Sequence, residues 1–314
     1  MIIFGPVPSR RLGRSLGINN IPYKNCSYSC IYCQLGPTNN LHQRRTSFYE
    51  PQEIYDAVLN KLEQTHQYNE KIDYLTFVAD GEPTLDLNLG ATISLLKKTG
   101  VKIAVISNAS LIGIDDVKEN LKNADWVSLK VDTVNEKIWR RLNIPSPELH
   151  FNAILQGLKY FSKSFNGSLV TETMLVKDIN DQQEFLTPLA EFLTELRTVK
   201  TYLSIPMRPP ARDWVKAPKP ETLTLAYQIF NQRLKNVELL IGSEGEDFAF
   251  TGDVIQDLLT ITSVHPMTEA AVRELLNKSK ADWVIVKKLI EMKLLKEILF
   301  EGNKYYLRNW ITER

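Results

Sequence analysis

The sequence is poor in cysteine: its 314 residues include only three, Cys26, Cys30 and Cys33, and these lie within eight consecutive positions. An odd number of closely spaced cysteines argues against a disulfide framework. Long hydrophobic runs are also missing, since none approaches the ~18 residues of a membrane span. The N-terminus lacks the charged-then-apolar order of an export signal. We therefore expect a cytoplasmic protein, in a compartment where thiols stay reduced.

Acidic residues are absent from positions 1–49, although the whole chain is nearly neutral with a net charge of +1. The same segment contains five arginines, Arg10, Arg11, Arg14, Arg44 and Arg45. Their positive charge has two interpretations. It compensates a negative group bound by the cysteines, or it attracts an anionic partner such as RNA, because basic side chains on phosphates supply most sequence-independent affinity.

The cysteine spacing, with three and then two intervening residues, is suited to a metal site. Iron–sulfur clusters are held by cysteine thiolates, usually four. A [4Fe–4S] cluster on three cysteines would leave one iron open to a small molecule. Zinc is the alternative, with His42 as a fourth ligand. Zinc sites more often use two separated ligand pairs, so the cluster is favoured.

Short β-branched runs alternate with longer amphipathic stretches up to about residue 205. We predict six strands, at 16–21, 72–79, 101–107, 126–131, 169–176 and 201–205. Helices are predicted between them, at 51–66, 88–99, 114–122, 134–142, 149–164 and 181–197. Repeated βα units imply an α/β fold with a parallel sheet, either doubly wound or an incomplete barrel. In both, the ligand site lies at the carboxyl ends of the strands.

Polar residues follow these predicted strands. The cysteines follow the first strand, and the later strand ends carry Gly81, Glu82, Pro83, Ser107, Asn108, Lys130 and Asp132. Lys130 and Asp132 alternate on one face of a buried strand, where charges need a partner or a ligand. Thr171, Glu172 and Thr173 are further candidates for the same face, although a solvated strand end explains them equally well.

The last sixty residues have a different pattern. Helices are predicted at 253–260, 268–277 and 281–292, followed by a hairpin whose strands at 294–300 and 304–307 flank Glu301-Gly302-Asn303. This order is typical of a winged helix-turn-helix. We therefore predict two domains, residues 1–245 and residues 246–314. Residues 261–314 contain ten basic and seven acidic residues, a weak excess for a DNA-binding domain, so DNA binding is less favoured than RNA or protein docking.

The cysteine spacing together with Asp80-Gly81-Glu82-Pro83-Thr84 resembles the radical S-adenosylmethionine (SAM) superfamily. The second motif is similar to that family's Gly-Gly-Glu-Pro element, with Asp80 in place of the first glycine. The resemblance implies a partial (β/α)6 barrel of the TIM type over about residues 16–205. It also implies that Cys26, Cys30 and Cys33 bind three irons of a [4Fe–4S] cluster. The implied SAM contacts are Tyr32, Gly81, Glu82, Pro83, Ser107, Asn108, Lys130, Asp132 and Val176.

Such an enzyme takes an electron from a low-potential donor and cleaves SAM to a 5′-deoxyadenosyl radical, which abstracts hydrogen from a substrate. Residues 4–17 and the Arg208-Pro209-Pro210 turn resemble Fe–S oxidoreductases related to the tRNA wyosine-forming enzymes. Those enzymes carry a second cluster on three further cysteines, which this chain lacks. RNA, a metabolite and a partner protein's glycyl residue are all candidate substrates. A SAM-responsive or redox-responsive regulator that binds nucleic acid is the alternative function.

Overall fold

The computed structural model describes residues 2–68, 70–78, 80–241 and 248–309. In these ranges, no helix combines the length and the apolar character needed to cross a membrane. Up to residue 241 the elements are β1 (Ile3–Ser9), β2 (Gly13–Ile18), β3 (Asn25–Cys26), β4 (Asn40–Leu41), α1 (Pro51–Gln67), β5 (Tyr74–Phe77), α2 (Leu89–Leu96), β6 (Lys102–Ser107), α3 (Asp115–Leu121), β7 (Trp126–Lys130), α4 (Glu136–Asn143), α5 (Phe151–Ser164), β8 (Ser168–Met174), α6 (Gln183–Thr194), β9 (Lys200–Ser204), α7 (Pro220–Asn231) and β10 (Val237–Leu240).

The main sheet has eight strands in the order β1-β2-β5-β6-β7-β8-β9-β10. Only β1 is antiparallel to its neighbour, and the other seven strands run parallel. Leu75 pairs with Ile103 and Phe77 with Val105, and all four side chains are fully buried. Strands of a parallel sheet are buried on both faces, which explains why they are so apolar in sequence. The α/β fold with a partial barrel is therefore confirmed.

All six predicted strands are present, and the structure adds β1, β3, β4, β10 and α7. The prolines Pro6 and Pro8 argue against a strand in sequence, since proline cannot donate to the ladder. The structure places them in β1, at the edge of the sheet, where that loss is tolerated. β10 has only four residues, too few for a recognisable alternation. β2 begins at Gly13 and ends at Ile18, three residues earlier than predicted at each end.

The C-terminal module comprises α8 (Val254–Val264), β11 (Met267–Thr268), α9 (Glu269–Lys278), α10 (Val284–Glu291), β12 (Leu295–Phe300) and β13 (Asn303–Arg308). Its three strands pair in the order β11-β13-β12. It has its own buried cluster, which includes Leu258, Leu275 and Tyr306. The predicted helices and hairpin are thus present, and β11 is an addition. The winged-helix classification stays a prediction, and the proposed boundary at residues 245 and 246 lies outside the described residues.

One close contact, between α5 and the loop before α3, allows the packing of the barrel to be tested by mutation. In α5, a Cβ atom on Gly157 would lie 2.5 Å from the carbonyl oxygen of Ile112 and 2.7 Å from the backbone nitrogen of Gly113. Alanine is the better helix former by about 1 kcal/mol, so helix propensity alone predicts that Gly157→Ala stabilises the protein. We expect the opposite, a loss of about 1–3 kcal/mol in the free energy of unfolding, because the clash involves backbone atoms. Urea denaturation measures it.

Gly90→Ala in α2 is the matched control. Its Cβ would meet the side chain of Asn120, with Oδ1 at 2.4 Å, and a side chain can rotate away. The Gly90 variant should therefore lose less stability than the Gly157 variant. A Gly157→Ala protein that is more stable than the wild type would contradict the packing described here.

Candidate active site

A cavity of about 1060 Å³ lies at the carboxyl ends of the parallel strands and contains all three cysteines. Nine of the twelve residues predicted for the site line it, namely Cys26, Cys30, Tyr32, Cys33, Gly81, Glu82, Ser107, Asn108 and Lys130. The other three, Pro83, Asp132 and Val176, are buried behind this lining. Residues separated by up to 104 positions in sequence therefore meet in one chamber.

The cysteine loop is fixed by main-chain hydrogen bonds to α4. The N–H of Ser29 donates to the carbonyl of Asn143 at 3.0 Å, and that of Ile31 donates to the carbonyl of Leu142 at 3.0 Å. Within the loop, the N–H of Cys33 donates to the carbonyl of Cys30 at 3.1 Å. Because α4 ends at Asn143, its last carbonyl groups have no partner inside the helix. The cysteine loop supplies that partner.

Gly81 brings the second motif into direct contact with the cysteine loop. A Cβ atom at this position would lie 1.7 Å from the carbonyl oxygen of Asn25, a separation that no side chain permits. The next residue, Glu82, donates its N–H to the same carbonyl at 3.1 Å. Glycine is therefore required here by close approach of two backbones, one of which immediately precedes Cys26.

The carboxylate of Glu82 joins the loop after β5 to the loop after β6. Its Oε1 accepts from the hydroxyl of Thr84 at 2.6 Å and that of Ser107 at 2.7 Å, and its Oε2 accepts from the N–H of Asn108 at 2.7 Å. Burial raises the pKa of Glu82, while these hydrogen bonds oppose the rise. Glu82 and Ser107 are thus engaged with each other, and this hydrogen bond joins the two loops.

Burial also affects the acidity of the cysteine thiols. It raises the pKa of Cys26 well above its usual range, helped by the nearby Glu82, and raises the pKa of Cys30 to about 12. In these surroundings a thiolate needs a positive group for compensation. A cationic metal centre is such a group, and deprotonated cysteines are its ligands. The chemistry of the three donors therefore fits a cluster.

The side chain of His42 bears on the zinc alternative, in which it would be the fourth ligand. Its Nδ1 lies 3.1 Å from the carbonyl of Arg44 and its Nε2 lies 3.4 Å from Oδ1 of Asn25. Both ring nitrogens therefore have contacts other than a cysteine sulfur.

Tyr32 is held by the residues behind the cavity wall. Its hydroxyl donates to Oδ2 of Asp132, which also accepts from the side-chain amide of Asn143 at 2.9 Å. Oδ1 of Asp132 accepts from the N–H of Met174 at 2.8 Å. Val176 is fully buried in a cluster that includes Tyr32. Asp132 and Val176 therefore support Tyr32, whose ring faces the ammonium of Lys130 at 4.9 Å from the ring centroid.

A second group of charges lies in the same cavity. Glu172 forms ion pairs with Arg11 and with Lys130, the latter at 3.3 Å, and accepts a hydrogen bond from Ser204. Although burial acts to raise the pKa of Glu172, the two cations hold it at about 2. Its neighbours Thr171 and Thr173 are buried away from the cavity, so only the middle residue of this strand segment lines it. The pairing of Arg11 with Glu172 gives no signal in sequence, because 161 residues separate the two.

The basic residues of the N-terminal segment are distributed among different partners. Arg14 forms an ion pair with Glu70, and Arg45 forms one with Asp116 on α3. Arg10 lines the cavity with Arg11, whereas Arg44 is exposed. Acidic side chains from three separate regions therefore form ion pairs with Arg11, Arg14 and Arg45.

The C-terminal module forms the far wall of the cavity. Its contribution includes His265, Met267, Thr268, Arg273 and Tyr305. Arg208 connects this wall to the cysteine loop, because its guanidinium donates to Oε1 of Gln34 at 2.7 Å and lies 2.9 Å from Nε2 of His265. Gln34 directly follows Cys33 and donates to the carbonyl of Val264 at 2.9 Å. No sequence pattern predicts this wall.

Comparison with known proteins agrees with this geometry. The family described as the Radical SAM superfamily matches residues 20–187. A UPF0026 protein from Methanocaldococcus jannaschii is 47% identical over 310 residues, which is 98% of this chain and 96% of that protein.

One solved structure shows the same fold at low sequence identity: a radical SAM methyltransferase from Sphaerobacter thermophilus has a TM-score of 0.53 at 14% identity, over 72% of this chain and 66% of that one. Archaeal TYW1 has a lower TM-score of 0.43 at 16% identity, over 94% and 79% of the two chains. From the family match and the close relative together, we conclude that the chain is an enzyme of the radical SAM superfamily and, within it, belongs with the UPF0026 proteins.

Proposed function

We propose that this enzyme holds a [4Fe–4S] cluster on Cys26, Cys30 and Cys33 and uses it to cleave SAM reductively. The observation that carries the proposal is the meeting of all three cysteines with Gly81 and Glu82 in one cavity. When bound, the cluster would pass an electron from a low-potential donor to SAM. Cleavage of SAM would then supply a 5′-deoxyadenosyl radical that abstracts hydrogen from the substrate. The protein's part is to hold the reactants and to keep water away.

For SAM, the structure supports a division of labour among the predicted residues. Gly81, Asn108, Tyr32 and Lys130 line the cavity and are the direct contacts that we assign. Glu82 and Ser107 are engaged with each other, so we assign them to positioning the loops on which the direct contacts lie. Pro83, Asp132 and Val176 support the wall from behind.

For the substrate, we assign the part of the cavity between the Glu172 ion pairs and the C-terminal module. The chamber of about 1060 Å³ would have to hold the cluster and SAM as well as the substrate, so only part of this volume is left for the substrate. The arginines proposed to attract RNA give less support for that substrate, because Arg11, Arg14 and Arg45 already form ion pairs with carboxylates of the chain. A compound enclosed between the barrel and the module is therefore favoured over RNA docked on a basic surface.

Removal of one ligand tests the cluster. Cys30→Ala should abolish the brown colour of anaerobically reconstituted protein and the release of 5′-deoxyadenosine from SAM under dithionite, because two thiolates cannot hold the cluster. Iron analysis, visible absorption and chromatography measure these losses. Ser164→Ala, at the end of α5, is a control that should retain both properties.

The same assay separates the enzyme from a regulator. Wild-type protein that binds the cluster and SAM without cleaving SAM would contradict the proposal and favour the sensor. Zinc in place of iron after reconstitution would contradict the assignment of the cluster.

Salt dependence tests the role of the arginines. Each phosphate contact contributes about −0.7 to −0.9 to the slope of log K against log salt, so five contacts would give a slope of about −4. Because three of the five arginines already form ion pairs within the chain, we expect bulk tRNA to bind with a distinctly shallower slope. Fluorescence anisotropy across a salt series measures it. A slope of about −4 or steeper would restore the RNA-guiding interpretation.

Glu172→Gln tests the ion pairs in the cavity. A carboxylate whose pKa is held at about 2 stabilises the folded state above its usual pKa of about 4.3, and this stabilisation is lost as pH falls towards 2. At pH 7 the variant leaves two cations without their carboxylate, and we expect it to lose about 3–5 kcal/mol in the free energy of unfolding. The difference in the free energy of unfolding between the variant and the wild type should shrink as the pH falls from 4 to 2.

Glu119→Gln is the matched control for this change. Glu119 also pairs with a lysine, Lys122, but its side chain is 64% exposed. Exposed ion pairs contribute little, so denaturant unfolding should barely change. Equal stability of the Glu172 variant and wild type at pH 7 would contradict the described pairing.

A further inference from the structure

Each cysteine sulfur has a side-chain N–H donor from a different residue. The ammonium of Lys24 lies 3.5 Å from Sγ of Cys33. The side-chain amide of Asn108 lies 3.5 Å from Sγ of Cys26, and that of Asn143 lies 3.4 Å from Sγ of Cys30. The donors come from the segment before β3, the end of β6 and the end of α4. Each sulfur thus has one side-chain N–H donor, and the side chain of Tyr32 is a further hydrogen-bond partner of Cys30.

Lys24 is held firmly in this position. It is 2% exposed, and its ammonium also donates to the carbonyl of Gly36 at 2.5 Å. The backbone N–H of Lys24 donates to the carbonyl of Asp80 at 2.8 Å. The backbone of Lys24 has a φ of 57°, in the left-handed region that side chains rarely adopt. A buried cation in a strained backbone conformation is costly, which indicates that its location beside the sulfur has a use.

The two asparagines are oriented by other contacts. Oδ1 of Asn108 accepts from the N–H of Ser110 at 2.9 Å, which directs the amide nitrogen towards Cys26 and Ser27. Asn143 is 3% exposed, and its amide nitrogen also donates to Oδ2 of Asp132. All three donors are therefore held in place by contacts that do not involve the cysteines.

Hydrogen bonds to the sulfurs are one of the factors that set the reduction potential of an iron–sulfur cluster. A donor stabilises the extra electron of the reduced form, and so raises the potential. A full positive charge acts more strongly than a neutral amide, and burial limits its screening by solvent. Of the three donors, Lys24 should therefore have the largest effect.

We propose that Lys24, Asn108 and Asn143 tune the reduction potential of the cluster through these contacts, and that Lys24 has the largest effect. This inference rests on the proposed cluster. Lys24→Met removes charge and donor, Lys24→Gln keeps a neutral donor, and Lys24→Arg keeps the charge. The expected order of midpoint potentials, from most to least negative, is Lys24→Met, then Lys24→Gln, then Lys24→Arg close to wild type.

The measurement is a redox titration of the reconstituted, SAM-free protein, monitored by electron paramagnetic resonance, with iron content determined in parallel. Lys71→Met is the matched control, since it removes the same charge from a side chain that is 84% exposed, and it should leave the potential unchanged. Asn143→Leu provides a second site, with an expected negative shift smaller than that of Lys24→Met.

The outcomes separate this proposal from the proposed function. If Lys24→Met and Lys24→Gln retain full iron and titrate like Lys71→Met, tuning by Lys24 is overturned while the cluster stands. If Lys24→Met loses its iron, the midpoint potentials of Lys24→Gln and Lys24→Arg are compared instead. A Lys24→Gln protein that retains full iron and titrates like Lys71→Met overturns tuning by Lys24. A wild-type protein that binds no cluster overturns both proposals.

Discussion

The buried carboxylate of Glu82 is the constraint on which the site depends. A carboxylate removed from water must be hydrogen-bonded, and here its donors come from Thr84, Ser107 and Asn108. This requirement ties together the loops that follow two neighbouring strands. Asn108 in turn reaches Ser27 and Cys26, and the Gly81 backbone lies against Asn25. The geometry of the cysteine loop is therefore coupled to a single buried acid.

Much of the fold is predictable because its signals are local. Parallel strands such as β6 are buried on both faces and stand out as apolar runs between amphipathic helices. The elements that the sequence did not predict were missed for physical reasons. The prolines of β1 argue locally against a strand, and they are tolerated only because β1 lies at the edge of the sheet. β10 depends on pairing with β9 rather than on its own four residues.

The site was predictable where motif and strand end coincide, as for the cysteines, Gly81 and Asn108. It was less predictable where a side chain acts on another side chain. Glu172 and Asp132 are candidates in the sequence, but their partners Arg11 and Tyr32 lie far away along the chain, and only the structure identifies them. Lys24 has no feature in the sequence that separates it from any surface lysine. Its place beside Cys33 is found only when the three-dimensional arrangement is known.

The division of the cavity wall has a consequence for how reaction and reactant are encoded. The segment that matches the superfamily, residues 20–187, carries the cysteines and the Gly81 loop, whereas the far wall is built by residues beyond 248. Arg208 and Gln34 connect the two parts. In the function that we propose, the residues that would hold the cluster and those that would contact the substrate therefore lie in separate stretches of one chain. A relative that matches only the first stretch would share the cluster site without sharing the far wall.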